Sequence, residues 1–245
     1  MNLSSVFFNI QLAYEVFVIW VLNHWRGLFT LLLCGILSVL GYFAHQAYKV
    51  SVEEEAHKAF LSVTRVVGAE VSAEAKKNPE KLLVAQQQKN EALLAAADLF
   101  LNQHSGSAYA PAVHGFIARA YESMDKHEEA RNHFLAAKKA CASTDLKNVY
   151  GLSVALMDLD SKDEGIRAQG VSELKDLCAD ESSSVCDAAL FYLGEYFWKL
   201  QNYQEARLWW GQLIVSTNKK TTALGLTPKS SWASLAKERV ALLDC

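Results

Sequence analysis

A small residue followed four positions later by a large one recurs along the chain from residue 96 onward. A small residue lets two helices approach closely, and the large one fills the space toward the next unit. The pairs are separated by 34, 40 and 36 residues, an interval typical of repeated helical units. They are Ala96 with Phe100, Ala130 with Phe134, Gly170 with Leu174, and Ala206 with Trp210.

Apolar stripes and short polar breaks alternate over the same part of the chain. No stretch shows the strict alternation of apolar and polar residues that marks a strand. We therefore predict an all-α fold. The breaks are "HSGS" (104–107), "MDKH" (124–127), "STD" (143–145), "SKDE" (161–164), "ADESSS" (179–184) and "LQN" (200–202).

Two of the pairs are preceded by a matching first helix. Ala118 stands twelve residues before Ala130, and Gly194 stands twelve before Ala206. Each follows an apolar residue and precedes an aromatic one by three positions, as in the L-G-x-x-Y segment of tetratricopeptide repeats. The pattern predicts a tetratricopeptide-like helical-hairpin solenoid over residues 79–245.

The other two pairs fit less well. The same offset from Gly170 gives Asp158, so that unit is either degenerate or carries an insertion. Around Ala96 only the second helix fits. A C-terminal capping helix is predicted in "TPKSSWASLAKERVALL", capped by Thr227 with Pro228 in its first turn, because a solenoid must cover its last core. Its apolar face is expected to contain Trp232, Leu235, Ala236, Val240 and Leu243.

The N-terminal region is different in character. Residues 27–48 contain no Asp, Glu, Lys or Arg and match the ~20 residues that a helix needs to cross a bilayer, so we predict a transmembrane helix there. Residues 1–26 are predicted to form an interfacial lead with Trp20 and Trp25 at the headgroups; a second span at 6–22 is the alternative. After the membrane, apolar residues at helical spacing predict a stalk helix at 49–78 that breaks at Pro79.

The cysteines give a clue to the redox compartment. Cys34 lies in the predicted span, and four cysteines lie outside it, an even number compatible with an oxidising compartment. Cys178 and Cys186 would close a short loop as a disulfide. The alternative is that both are reduced, buried apolar residues.

No motif for chemistry is present. The sequence lacks the nucleophile elbow, the phosphate-binding glycine loops and the zinc-protease motif, so we predict no enzymatic activity, no cofactor and no metal site. His127 and His133 lie on different faces of a helix and are expected at the surface. The net charge of −3 provides no basic field for nucleic acid.

A binding groove is the remaining candidate site. In a tetratricopeptide fold the groove is lined by the first helix of each pair, and an extended or helical peptide could lie there. The alternative for Phe191 and Trp198 is packing on a neighbouring helix. The residues at the groove positions are Gly115, Arg119, Glu122, Phe191, Glu195 and Trp198.

The chain also resembles a known family. The order of a hydrophobic lead, "WVLNHWRGLFTLLLCGILSVLGYFAHQAYK", a long helix, and "HSGSAYAPAVHGFIARAYESMDKHEEARNHF" is similar to the YfgM-like ancillary subunits of the bacterial SecYEG translocon. The resemblance covers the chain from about Glu15 to the last helix. It departs from the family in the lead, which is strongly charged in the family and nearly uncharged here.

The resemblance implies a role and a location. The chain would be a single-pass inner-membrane protein, with a cytoplasmic N-terminus and its repeats in the periplasm. Its partners would be translocon subunits, periplasmic chaperones and exported polypeptides. The alternative is a structural adaptor in cell-envelope assembly or division. The Lys and Arg residues that flank the span are too balanced to set its orientation.

Overall fold

The computed structural model describes residues 3–70, 76–179, 183–224 and 230–243, and within these ranges every regular element is a helix. The all-α prediction is confirmed in the described part of the chain. Five of the predicted breaks coincide with observed ones to within two residues, and residues 180–182 of the break at 179–184 lie outside the described residues. The helices are α1 (Leu3–Gly68), α2 (Pro79–His104), α3 (Ala110–Ser123), α4 (His127–Ala140), α5 (Thr144–Leu159), α6 (Glu164–Ala179), α7 (Cys186–Lys199), α8 (Tyr203–Leu224) and α9 (Ser231–Leu243).

By its internal contacts the chain divides into two units, Met1–Glu55 and Ala56–Cys245. In the first unit every residue from Leu33 to Ser51 is exposed, so no face of this segment is covered by the chain itself. Among the described residues, no helix reaches the length and hydropathy that crossing a bilayer requires. Trp25 is exposed, and the side chain of Trp20 lies outside the described residues.

The second unit begins with the end of α1. Ala56 and Val63 are fully buried against α2 and α3, and the ring of Phe60 stacks on Tyr109 with centroids 4.9 Å apart. Residues 56–68 therefore act as the first helix of a hairpin whose second helix is α2. The unit around Ala96 is complete, although its buried small residue is Ala97.

The predicted stalk of 49–78 is corrected by this packing. The helix ends at Gly68, and Pro79 is the first residue of α2 rather than the point where α1 breaks. Asn78 caps α2: its side-chain oxygen accepts a hydrogen bond from the amide of Glu80 at 3.0 Å. Proline is tolerated at this position because the first amides of a helix have no partner within it.

The α5–α6 hairpin contains an insertion. An ideal Cβ on Gly170 would lie 2.8 Å from the carbonyl oxygen of Ala155, so the two helices touch there. Ala155 stands fifteen residues before Gly170, three more than the offset in the α3–α4 and α7–α8 hairpins. Asp158, at the regular offset, also contacts Gly170, with its Cβ 2.9 Å from the ideal Cβ, so both residues share this close approach.

The C-terminal helix α9 covers α7 and α8, as predicted for a cap. It touches them through Ala233 and Ala236, with Trp232 partly buried beside them. Leu235 was predicted on this face but is 41% exposed, because it lies about 100° around the helix from Ala236. The predicted cap at Thr227 and Pro228 lies outside the described residues.

Trp210 is the central packing residue of the α7–α8 hairpin. Its indole is fully buried, and its Nε1 donates a hydrogen bond to the carbonyl oxygen of Phe191 at 3.2 Å. The ring lies on Gly194, where an ideal Cβ would come within 2.3 Å of Nε1. The large residue therefore packs within its own hairpin, whereas the sequence pattern predicts that it fills the space toward the next unit.

Replacing Gly194 with alanine should therefore destabilise the protein by about 1–3 kcal/mol, because the buried indole has no space to retreat. Gly211 is the matched control, since it lies on α8 with nothing within 4 Å of its ideal Cβ. Gly211→Ala should stabilise the protein by about 0.5–1 kcal/mol through helix propensity. Urea unfolding measures both; equal effects of the two variants would contradict the packing of Trp210 on Gly194.

Candidate functional site

A cavity of about 330 Å³ lies between α5 and α7, the first helices of two successive hairpins. Four residues of α7 form one wall of the cavity, and their spacing of three, one and three positions places their side chains on one face of the helix. Leu156 and Leu159 of α5 provide the apolar wall opposite. The α7 residues are Tyr192, Glu195, Tyr196 and Lys199.

The rim of the cavity carries both signs of charge. Lys199 lies 3.8 Å from the carboxylate of Asp160, and both side chains are well exposed. Arg167 of α6 donates hydrogen bonds of 2.9 Å to the carbonyl oxygens of Ser161 and Lys162. The cavity therefore combines an apolar wall with charged groups at its rim.

Two of the predicted groove residues, Glu195 and Trp198, contact the same arginine of α9. Arg239 of α9 donates a hydrogen bond of 2.7 Å from its Nε to the carboxylate of Glu195, and its guanidinium lies 5.6 Å from the centre of the Trp198 ring. Glu195 also borders the cavity, whereas Trp198 lies on the α9 side of α7 and is 39% exposed. Sequence reasoning missed Arg239, which no motif marks.

Phe191 packs on a neighbouring helix, which is the alternative that the sequence leaves open for it. It is 6% exposed, and its ring lies 5.2 Å from that of Trp232 in α9. Phe191, Glu195 and Trp198 share one face of α7, but that face is turned toward α9. The cavity lies beside the face of Tyr192, Tyr196 and Lys199, one residue further along. Of the three predicted residues of α7, Glu195 alone lines the cavity.

The predicted residues of α3 lie elsewhere. Gly115 is buried, and an ideal Cβ there would lie 2.9 Å from the ring of Tyr150 in α5, so it is a packing contact. Arg119 is exposed and borders a separate cavity of about 170 Å³ with Val67 and Phe116. Glu122 is exposed. These residues and those of α7 do not form one continuous site.

The repeat pattern corresponds to a described family. A family model, the tetratricopeptide repeat-like domain, matches residues 19–177, which is more than half of the chain. The chain belongs to the tetratricopeptide repeat-like family. Neither a curated protein nor a solved structure matches it. Tetratricopeptide-like repeats are typically non-catalytic protein-interaction modules.

The tetratricopeptide-like packing continues beyond the matched residues. The match ends within α6, whereas the α7–α8 hairpin repeats the contact of a small residue with a large one at Gly194 and Trp210. The α7 wall of the cavity therefore belongs to a further repeat of the same solenoid. Within the described residues, no group of three or more His, Cys, Asp or Glu side chains is placed to hold a metal ion.

A histidine pair joins the two helices of one tetratricopeptide-like hairpin. His114 of α3 and His133 of α4 are half-buried, with their Nδ1 atoms 3.1 Å apart. His133 was predicted at the surface, and this expectation was wrong because the face it occupies packs on α3. Burial, and then the charge of His133, lower the pKa of His114. Burial also lowers the pKa of His133, against the opposing effect of Asp98.

The pair predicts a loss of stability in mild acid. A lowered pKa means that the folded protein takes up protons less readily than the unfolded chain, whose histidines titrate near 6.5. The free energy of unfolding should therefore fall as the pH drops below about 6.5, and two charged imidazoles could no longer share a hydrogen bond.

Urea unfolding at pH 7.5 and 5.5 measures this. His114→Gln should reduce the pH dependence and the exposed His127→Gln should not; an unchanged slope in His114→Gln would exclude the pair as its source.

Proposed function

We propose that this chain is a membrane-anchored scaffold that holds a segment of a partner polypeptide in the cavity between α5 and α7. The supporting observation is the cavity itself, which has an aromatic and aliphatic wall within a rim of both charges. Its volume is near the lower end of the ~300–1,000 Å³ common for binding sites. It has room for one or two large side chains of an extended segment, as expected for a module that binds polypeptides.

The anchor is proposed from the first unit. Residues 27–48 contain no Asp, Glu, Lys or Arg, and large apolar side chains such as Phe29, Leu40 and Phe43 are exposed. A contiguous apolar surface of this kind is unfavourable in water and is typical of contact with lipid or protein. We propose lipid as its environment, in the bacterial inner membrane, with the N-terminus in the cytoplasm and the repeats in the periplasm.

The place of action is proposed from the sequence resemblance to YfgM-like subunits. The scaffold would lie beside the Sec translocon and handle exported polypeptides together with periplasmic chaperones. The alternative remains an adaptor in envelope assembly or division, which would use the same cavity for a different polypeptide. The identity of the neighbours in the cell distinguishes the two.

Site-specific photo-crosslinking in living bacteria tests the cavity and its occupant. A photoreactive residue replaces Leu200 at the cavity rim, 57% exposed, in the full-length chain. The control position is Leu208 on α8, which is 59% exposed and lies away from the cavity. Adducts with translocon subunits or exported polypeptides at position 200, and not at 208, are expected. Adducts with wall-synthesis or outer-membrane assembly factors would favour the adaptor, and equal yields at both positions would exclude the cavity as the binding site.

Tyr196→Ala in the same background should lower the crosslinking yield from position 200 about tenfold, because it removes the aromatic wall of the cavity. Tyr203→Ala is the matched control, a half-exposed tyrosine at the start of α8 that does not line the cavity. Thermal unfolding of both variants shows whether the fold is kept. An undiminished yield in a folded Tyr196→Ala protein would mean that the partner binds elsewhere.

The proposed topology has its own test. A reporter that is active only outside the cytoplasm, fused after residue 245, should be active if the repeats are periplasmic. A matching reporter that works only in the cytoplasm should be silent. The reverse result would remove the export role while leaving the binding cavity intact.

A further inference from the structure

Two cysteines meet where α6 ends and α7 begins. Cys178 lies in the last turn of α6, and Cys186 is the first residue of α7. The Sγ of Cys178 lies 3.8 Å from the carbonyl oxygen of Cys186, and the Sγ of Cys186 lies 3.7 Å from the carbonyl oxygen of Cys178. The contacts are reciprocal: each thiol donates a weak hydrogen bond to the backbone carbonyl of the other residue, so the two cysteines lie side by side where α6 meets α7.

The surroundings of the two thiols differ. Cys186 is 1% exposed in the core of α7, α8 and α9, whereas Cys178 is half-buried and packs on the same core from α6. A solution oxidant can therefore reach only Cys178 directly. The hydrogen bond with Cys186, followed by burial, raises the pKa of the Cys178 thiol, so that thiol is a slow nucleophile at neutral pH.

We propose that Cys178 and Cys186 form an intramolecular disulfide that ties α6 to α7, and that Cys178 is the point of entry for the oxidant. The oxidant is a disulfide in a small molecule or a partner protein. The proposal rests on the position of the two side chains and does not depend on the proposed function. It extends the loop closure that the spacing of the two residues suggested.

The reaction is two thiol–disulfide exchanges. The Cys178 thiolate attacks one sulfur of the oxidant, which forms a mixed disulfide and releases the other sulfur as a thiolate. The Cys186 thiolate then attacks the Cys178 sulfur, which forms the internal disulfide and releases the second oxidant thiolate. Two electrons pass from the cysteines to the oxidant, and the two thiol protons end on the two released thiolates through solvent.

The test uses the purified full-length chain with glutathione disulfide as the oxidant. Digestion and mass spectrometry should find the Cys178 and Cys186 peptides joined, with the mass reduced by two hydrogens. The rate should rise about tenfold per pH unit between pH 7 and 9, as expected for a thiol whose pKa lies above this range. The melting temperature should rise by about 5–10 °C on oxidation, through closure of a short loop.

Single variants test the order of the two steps. Cys186→Ser should stop at the mixed disulfide, with glutathione retained on Cys178. Cys178→Ser should leave Cys186 unmodified, because its thiol is buried. Cys141→Ser is the control, a buried cysteine on a different hairpin, and should oxidise like the wild type. Glutathione retained on Cys178 in the wild type, or peptides that stay separate, would overturn the proposal.

The state of the pair in cells separates this inference from the proposed location. Rapid alkylation of intact cells should trap the disulfide if the repeats are periplasmic. A pair that oxidises in the purified protein but is found reduced in cells would leave the disulfide chemistry standing and would count against the periplasmic placement.

Discussion

The hairpins of this solenoid depend on a close approach between their two helices. The approach is possible where a small residue on one helix faces either a large side chain or the backbone of the other helix. In α7 and α8 the contact is Gly194 under Trp210, and in α5 and α6 it is Gly170 against Ala155. The approach sets the crossing of the two helices and so the surface presented to the next hairpin. Polar links between hairpins can form only once this spacing is fixed.

Those polar links are few and specific. Arg131 of α4 makes a two-pronged hydrogen-bonded ion pair with Asp158 of α5, whose side chain is almost fully buried. Lys138 of α4 donates a hydrogen bond of 2.5 Å from its Nζ to the carboxylate of Glu173 in α6. This pair lies against Gly151, where an ideal Cβ would come within 2.9 Å of the Glu173 carboxylate. Loss of Arg131 would leave the buried carboxylate of Asp158 without its ion-pair partner, which is costly, so this contact favours one register between neighbouring hairpins.

The small–large pairs were enough to predict the hairpins because they recur at similar intervals of 34 to 40 residues. The contacts between units do not, and the errors lie there. The repeat register leaves Phe191 open between the groove and packing on a neighbouring helix, and only the position of α9 shows that its ring is covered. The end of α1 was read as a free stalk because the helices that bury Ala56 and Val63 come later in the chain.

The irregular hairpin contributes to the cavity. Three extra residues lie between the contact residues Ala155 and Gly170, and most of this difference is at the start of α6, which has six residues before Gly170 where α4 and α8 have three before Ala130 and Ala206. The α5 and α6 residues that line the cavity, Leu156, Leu159, Asp160 and Arg167, all lie in this interval. Arg167, which lines the cavity, lies in this longer stretch before Gly170. The irregular part of the repeat therefore supplies one residue of the cavity that we propose as the binding site.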